Sequence, residues 1–421
     1  MNYQTIFAPR IIRFRGEYLQ RILSLTALVI LFTLHAANAQ QNYEAWYRLR
    51  AAIDRQEKSE ALEWIDSCLK LKPLRYSNYI DIGKAYYLNE QYNDALVYFK
   101  KAESVRSNSA SYLLARTYSM LGDTSSCFLW LQKNLESAQR EKESVILLDR
   151  AFHSIQKTQG WKSIWEKDWY NSLNKVTAEA EYLNGNQRFE ESLDLLNARI
   201  KGSKSRFVLY ELRGDAYLHL NNPQAAANDY SIAYKKSKKN PVYLAKIAQA
   251  LVARKQYPPA IKKINEAIEK SNGDPTFYLD RAKIYGKMGQ PAYSFDDLKY
   301  YLTFYPNNTE AMELLPESAY NAGQYVDALW TLAKLIKTNP DNPRYHFLRG
   351  ITYIKTEQPR LAIAELDIAI VNEYNVAEAY YHKGIALINL GEYPEACKCF
   401  SASVRYGKFN AQEWLYKYCK K

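Results

Sequence analysis

The sequence predicts an all-α fold, an α-α superhelix of about ten helix-turn-helix repeats in two blocks with a C-terminal capping helix. Three observations predict it. Gly214, Ala248, Ala282, Pro316, Gly350 and Gly384 stand 34 residues apart, and Ala226, Ala260, Ser294, Ala328, Ala362 and Ala396 keep the same step. Such a unit is a pair of helices that buries its apolar face only by stacking on copies of itself. Proline adds the third: Pro223, Pro258, Pro291, Pro359 and Pro394 fall within a residue of where each second helix should begin. There a missing N–H removes no helical hydrogen bond.

Residues 1–39 form the first element. Arg10, Arg13, Arg15 and Arg21 precede an apolar run from Ile22 to Leu34, followed by Ala37, Asn38 and Ala39. This is the pattern of a secretory signal peptide cleaved after Ala39, and the run is shorter than the ~20 residues a spanning helix needs. Retention as an inner-membrane anchor is the alternative. Cleavage would lower the formal charge from +12 to +9, because four arginines and Glu17 leave. The lysines at 235, 236, 238 and 239 read as a solvated helix end suited to the negative pole of the helix dipole. No nucleic-acid partner is expected of an exported chain.

Residues 40–141 form an N-terminal block of three units. Asn42–Arg75 has Leu49, Ala61, Ile65 and Pro73 in register, the next has Tyr79, Gly83, Tyr86, Tyr92, Ala95, Phe99 and Ala102, and Asn108–Glu141 has Ala115, Tyr118, Gly122 and Leu131. Residues 142–172 break the pattern. Trp161, Trp165 and Trp169 recur every four residues there, which predicts one buried helical stripe at a junction where the blocks could meet at an angle. Residues 173–410 hold seven units, Leu173–Arg206 and six more starting at Phe207, Pro241, Pro275, Thr309, Pro343 and Ala377. Within them Tyr210, Leu244, Tyr278, Met312, His346 and Tyr380 precede the small residue by four, on the same face. Pro316 replaces the small residue mid-helix and should disturb that helix. Residues 411–421, with Trp414, read as the capping helix.

Tyr380, Gly384, Gly391, Tyr393, Ala396 and Phe400 resemble the tetratricopeptide repeat family, as do the residues of the Tyr79 unit; the resemblance covers 42–141 and 173–410. It implies a binding scaffold whose first helices line a groove. By offset, that groove is charged and mixed from Glu211, Asp215 and Lys246 to Glu310, Glu313 and Glu317. Past Pro343 it becomes an apolar strip of Phe347, Ile351, Ile354, Tyr381, Ile385 and Ile388, with Arg344 at its rim. The strip is either an interaction site or core, and exposure of Phe347, Tyr381 and Ile385 discriminates. Some relatives hold terminal carboxylates with a lysine and asparagine on one first helix and basic residues on the next two. No run of three units here has that set.

The repeats leave no room for a catalytic domain. His153, His219, His346 and His382 are scattered without zinc or nucleophile spacing, and His346 reads as a packing residue. No enzyme activity, metal or cofactor is expected. Cys68, Cys127, Cys397, Cys399 and Cys419 read as buried thiols. The expectation is an exported scaffold with a protein or peptide partner in the envelope of a bacterium with two membranes. It would reach a membrane only through an uncleaved signal or a partner. Alternatives are carbohydrate or envelope-polymer binding, motivated by 37 tyrosines and the positive charge, and a purely architectural spacer.

Overall fold

A computed structural model describes residues 43–201 and 207–419, so the signal-peptide reading of 1–39 lies outside the described residues. All regular structure among them is helical. The chain divides into two compact units, one ending at Lys175 and the other starting at Val176, within the helix Ser172–Gly185. No described helix is long and apolar enough to cross a membrane.

In the second unit, from the helix Phe189–Lys201 onward, the helices pair in chain order, each packing on the next. The six full repeats begin their first helices at Phe207, Val242, Thr276, Thr309, Pro343 and Val376, within one residue of the starts read from the 34-residue frame. Pro223, Pro291 and Pro359 open second helices, and Pro258 and Pro394 stand one residue inside theirs.

What joins the two helices of a repeat is a fit of sizes. Gly214 faces Tyr230, Gly350 faces Leu366 and Gly384 faces Phe400, and a Cβ built on any of these glycines would lie within 3.0 Å of that partner. Where the first helix has alanine, at Ala248 and Ala282, the residue sixteen positions on is aliphatic, Ile264 or Leu298, never an aromatic ring, and all four are buried. Pro316 is buried in a helix that continues on both sides, Thr309–Asn321.

The turn between the paired helices also repeats. Gln187, Asn221, Lys255, Gly289, Gly323, Glu357 and Gly391, each 34 residues on, all have positive φ between 56° and 78°. The chain must pass through the left-handed region there, which glycine enters without steric cost and glutamate does not.

A second period lies beneath the first. Arg213, Arg281 and Arg349 are 68 residues apart, in alternate repeats, and each pairs with the acid sixteen residues on: Asp229 at 2.7 Å, Asp297 at 2.7 Å and Glu365 at 2.6 Å. Arg213 and Arg281 also donate at 2.8 Å to Asn197 and Asn265 of the preceding repeat. Each is clasped by two tyrosines, Tyr210 and Tyr217 or Tyr278 and Tyr285. The intervening repeats have Ile247 and Leu315 at the arginine position. His346 joins this network: Nδ1 is 2.8 Å from Glu365 and Nε2 is 2.7 Å from the Pro340 carbonyl. It is a buried polar partner rather than simple packing.

The first unit has helices at 43–54, Lys58–Leu69, Tyr76–Leu88, Tyr92–Val105, Ser111–Met120 and Thr124–Glu136. Residues beyond them fold onto the last pair. Trp161, Ile164 and Trp169 are buried with Phe152 against Ala115, Cys127 and Leu131. The stripe prediction is corrected in one respect: the helix Gln159–Trp165 ends before Trp169, which returns through a turn to donate its indole N–H to the Ile164 carbonyl at 2.7 Å. Trp161 and Trp169 are core of this unit, and the half-buried Trp165 packs against it.

Two cysteines depart from the thiol reading. Cys397 and Cys419 form a disulfide, with Cα atoms 5.7 Å apart. Cys397 faces away from the buried Cys399, and the helix Ala411–Tyr418 brings Cys419 back beside it. Cys68 and Cys127 are buried thiols, which burial pushes up to about 12.

Candidate functional site

The first-helix side chains that should line the groove are held by partners in the neighbouring repeat. Lys246 lies 2.8 Å from Asp215 and 3.1 Å from Glu211, and Tyr243 donates to Glu211 at 2.7 Å. Burial alone would lower the Lys246 ammonium, but the two carboxylates outweigh it and hold it above the lysine range. Lys283 pairs with Glu310 at 2.7 Å, Tyr345 donates to Glu313 at 3.0 Å, and Arg344 reaches Glu317 at 2.9 Å. Burial also raises Asp280, against the nearby Lys283 and a bond from Gln249. This face is a ladder of cross-repeat contacts whose charges largely cancel.

Two hollows open along it. One, of about 460 Å3, has Phe189, Leu212, Leu218, Tyr230, Lys246 and Gln249 in its wall. The other, of about 620 Å3, lies between Lys283, Gly286 and Lys287 on one first helix and Glu310, Leu314 and Glu317 on the next. Lys287 is exposed and has no ion-pair partner among the described residues.

The C-terminal strip is only partly open. Phe347 and Ile351 are 8% and 7% exposed, and belong to the core with Leu332, Leu348 and Leu366. The rings of Tyr374 and His382 lie edge-on to Phe347 at 5.8 and 6.2 Å. Burial pushes His382 down to about 4, outweighing Glu378. Ile354, Tyr381, Ile385 and Ile388 are half-buried, as is Arg344 at the rim. Tyr381 accepts a bond from the Trp414 indole at 3.2 Å, and the Trp414 ring stacks on Phe400 at 5.3 Å. The strip thus splits: Ile354 packs against the core of Phe347 and Ile351, while Tyr381, Ile385 and Ile388 pack against a second core, of Leu387 and Phe400, that Trp414 and Leu415 of the final helix also cover. What the offset could not foresee was the two rings over Phe347.

Among the described residues no cluster of histidine, cysteine and acidic side chains is arranged to hold a metal ion. The face presents polar side chains fixed by neighbours around these hollows.

Residues 211–275 and 348–408 match the family model of the tetratricopeptide repeat, so those stretches of the chain are built of tetratricopeptide repeats. The chain is 23% identical over 343 residues to a BBSome complex member BBS4 homolog of Drosophila melanogaster, covering 79% of this chain and 65% of that protein. It is 28% identical over 88 residues to Hsc70-interacting protein 1 of the same organism, covering 19% of this chain and 23% of that one. It therefore spans under two thirds of these relatives. Among solved structures it is similar to a tetratricopeptide repeat protein from Parabacteroides merdae, with TM-score 0.40 and 16% identity over 59% of this chain and 99% of that one. A second is the C-terminal part of a repeat protein from Cytophaga hutchinsonii, with TM-score 0.45 and 15% identity over 56% of this chain and 98% of that one.

Proposed function

We propose that the chain is an exported, non-catalytic scaffold that holds protein segments on the first-helix faces of its repeats, in the cell envelope. One observation carries the reading: the hollow between Lys283, Lys287, Glu310 and Glu317, formed where successive first helices meet. A surface already held in shape by cross-repeat pairs loses little freedom when a partner binds, and so keeps more of its contact energy as affinity. The half-buried Ile354, Tyr381, Ile385 and Ile388 extend the surface beyond Arg344. Disulfides persist in oxidising compartments, so the Cys397–Cys419 pair supports export. Carbohydrate binding loses support because Tyr230, Tyr243 and Tyr345 spend their hydroxyls on neighbouring carboxylates.

The test is affinity purification of tagged protein from fractionated cells, comparing the wild type with Gln249→Glu plus Lys287→Glu. The reading expects a mature chain beginning at Gln40 and an envelope partner that the double variant loses. Recovery of the same partners by both proteins, or an intact chain in the cytosolic fraction, would overturn it.

A further inference from the structure

In the first unit the electrostatics differ. Arg50, Lys84 and Arg116 stand at equivalent places in three successive first helices, each one residue after the crossing residue Leu49, Gly83 or Ala115. Arg50 is held by Asp81 at 2.7 Å. The other two line a hollow of about 470 Å3 that also receives Lys58 and, from the segment after the repeats, Arg150. Its acids are Glu90 and Asp149, and both are already engaged. Glu90 lies 2.6 Å from Lys58. Asp149 accepts from the Tyr112 hydroxyl at 2.6 Å, and Arg116 Nε lies 2.6 Å from the same oxygen, an ion pair whose N–H does not point along the line.

Lys84 and Arg150 are left without an ion-pair partner among the described residues, both exposed, at the same hollow. Beside them is an apolar shelf of Tyr87, Leu88, Leu113 and Met120, with the Arg116 guanidinium 4.9 Å over the Tyr87 ring. Lys84 feels the charge of Asp81, which Arg50 holds, but no described carboxylate closes an ion pair with it or with Arg150. Two such cations next to an apolar shelf complement an anionic group that carries a hydrophobic neighbour. A bare inorganic anion would leave the shelf unused.

We propose that this hollow binds an acidic segment of another polypeptide, with carboxylates at Lys84 and Arg150 and an adjacent apolar side chain on the Tyr87–Met120 shelf. Charge-assisted hydrogen bonds of this kind are the strong ones, and they orient what they hold. Arg150 comes from outside the repeats, so the site cannot be assembled from repeat positions alone. The proposal rests on the scaffold reading only in taking a protein segment as the occupant.

The experiment is a fluorescence-anisotropy titration of the full mature chain with a labelled eight-residue peptide of alternating leucine and glutamate, at low salt. The expected result is saturable binding that falls at least tenfold when glutamine replaces glutamate. Lys84→Glu with Arg150→Glu should cause a similar fall with the melting temperature unchanged. Lys235→Glu with Lys262→Glu, which alters net charge equally on exposed lysines of the second unit, should bind as the wild type does. Equal binding of the glutamine peptide, equal loss in the control pair, no loss in the Lys84 and Arg150 variant, or displacement by equimolar inorganic phosphate would each overturn the proposal. A flat titration would overturn it too, while the purification test of the second-unit face stands or falls separately.

Discussion

Gly384 and Phe400 are made for each other: a Cβ on Gly384 would stand 2.6 Å from Cε1 of Phe400, closer than carbon atoms approach. The glycine is mid-helix and serves for its missing side chain, not for its backbone freedom. Gly384→Ala gains about 1 kcal/mol of helix propensity but overpacks a fully buried ring, a change worth ~1–3 kcal/mol in the other direction. A net loss of about 1 kcal/mol is expected by urea denaturation. Gly384→Ala with Phe400→Leu reproduces the Ala282 and Leu298 arrangement and should lose less than Gly384→Ala alone.

Arg281 and Asp297 form a largely buried pair of the 68-residue alternation, with Asp297 raised by burial despite the guanidinium beside it. Removing one partner leaves the other uncompensated, at a cost of ~3 kcal/mol, whereas apolar replacement of both is far milder. Asp297→Ala should therefore destabilise more than Arg281→Leu with Asp297→Leu, as read from denaturation midpoints in a double-mutant cycle. Equal losses would show that the pair acts only through its packing.

Lys255 and Glu357 occupy the left-handed turn position that glycine fills at Gly289, Gly323 and Gly391. Lys255→Gly and Glu357→Gly should each stabilise by ~0.5–1 kcal/mol, because relief of the steric penalty exceeds the entropy glycine adds to the unfolded chain. Gly391→Ala should destabilise by a similar amount. Thermal melts of the three variants check both signs.

His382 gives a pH signature. Burial lowers its folded value to about 4 from an ordinary 6.5, so the unfolded chain binds the proton more readily. Its contribution is complete above pH ~6.5 and is lost as pH falls towards ~4, a change on the order of 3 kcal/mol. His382→Phe should flatten that part of the stability profile, measured by denaturation at stepped pH.

The ladder of small residues made the helix pairs of the second unit legible, because each position is fixed by contact with an identical copy. What it hid was alternation. A scan for residues that recur every 34 positions passes over Arg213, Arg281 and Arg349, which recur every 68 with Ile247 and Leu315 between them. Burial of Phe347 was also out of reach, since it depends on Tyr374 from a loop and His382 from the next repeat. The Cys397–Cys419 pair required knowing that the final helix turns back. Lys84 and Arg150 meet through a segment with no repeat register at all.

Docking of partners on first-helix faces can be read in growing cells by site-specific photo-crosslinking. A photoreactive residue at exposed Gln249 or Lys287 should capture a discrete partner, while one at Tyr293 or Val326, 59% and 78% exposed on second helices, should not. Crosslinks from Tyr293 and Val326 with none from Gln249 and Lys287 would place partners on the second helices instead.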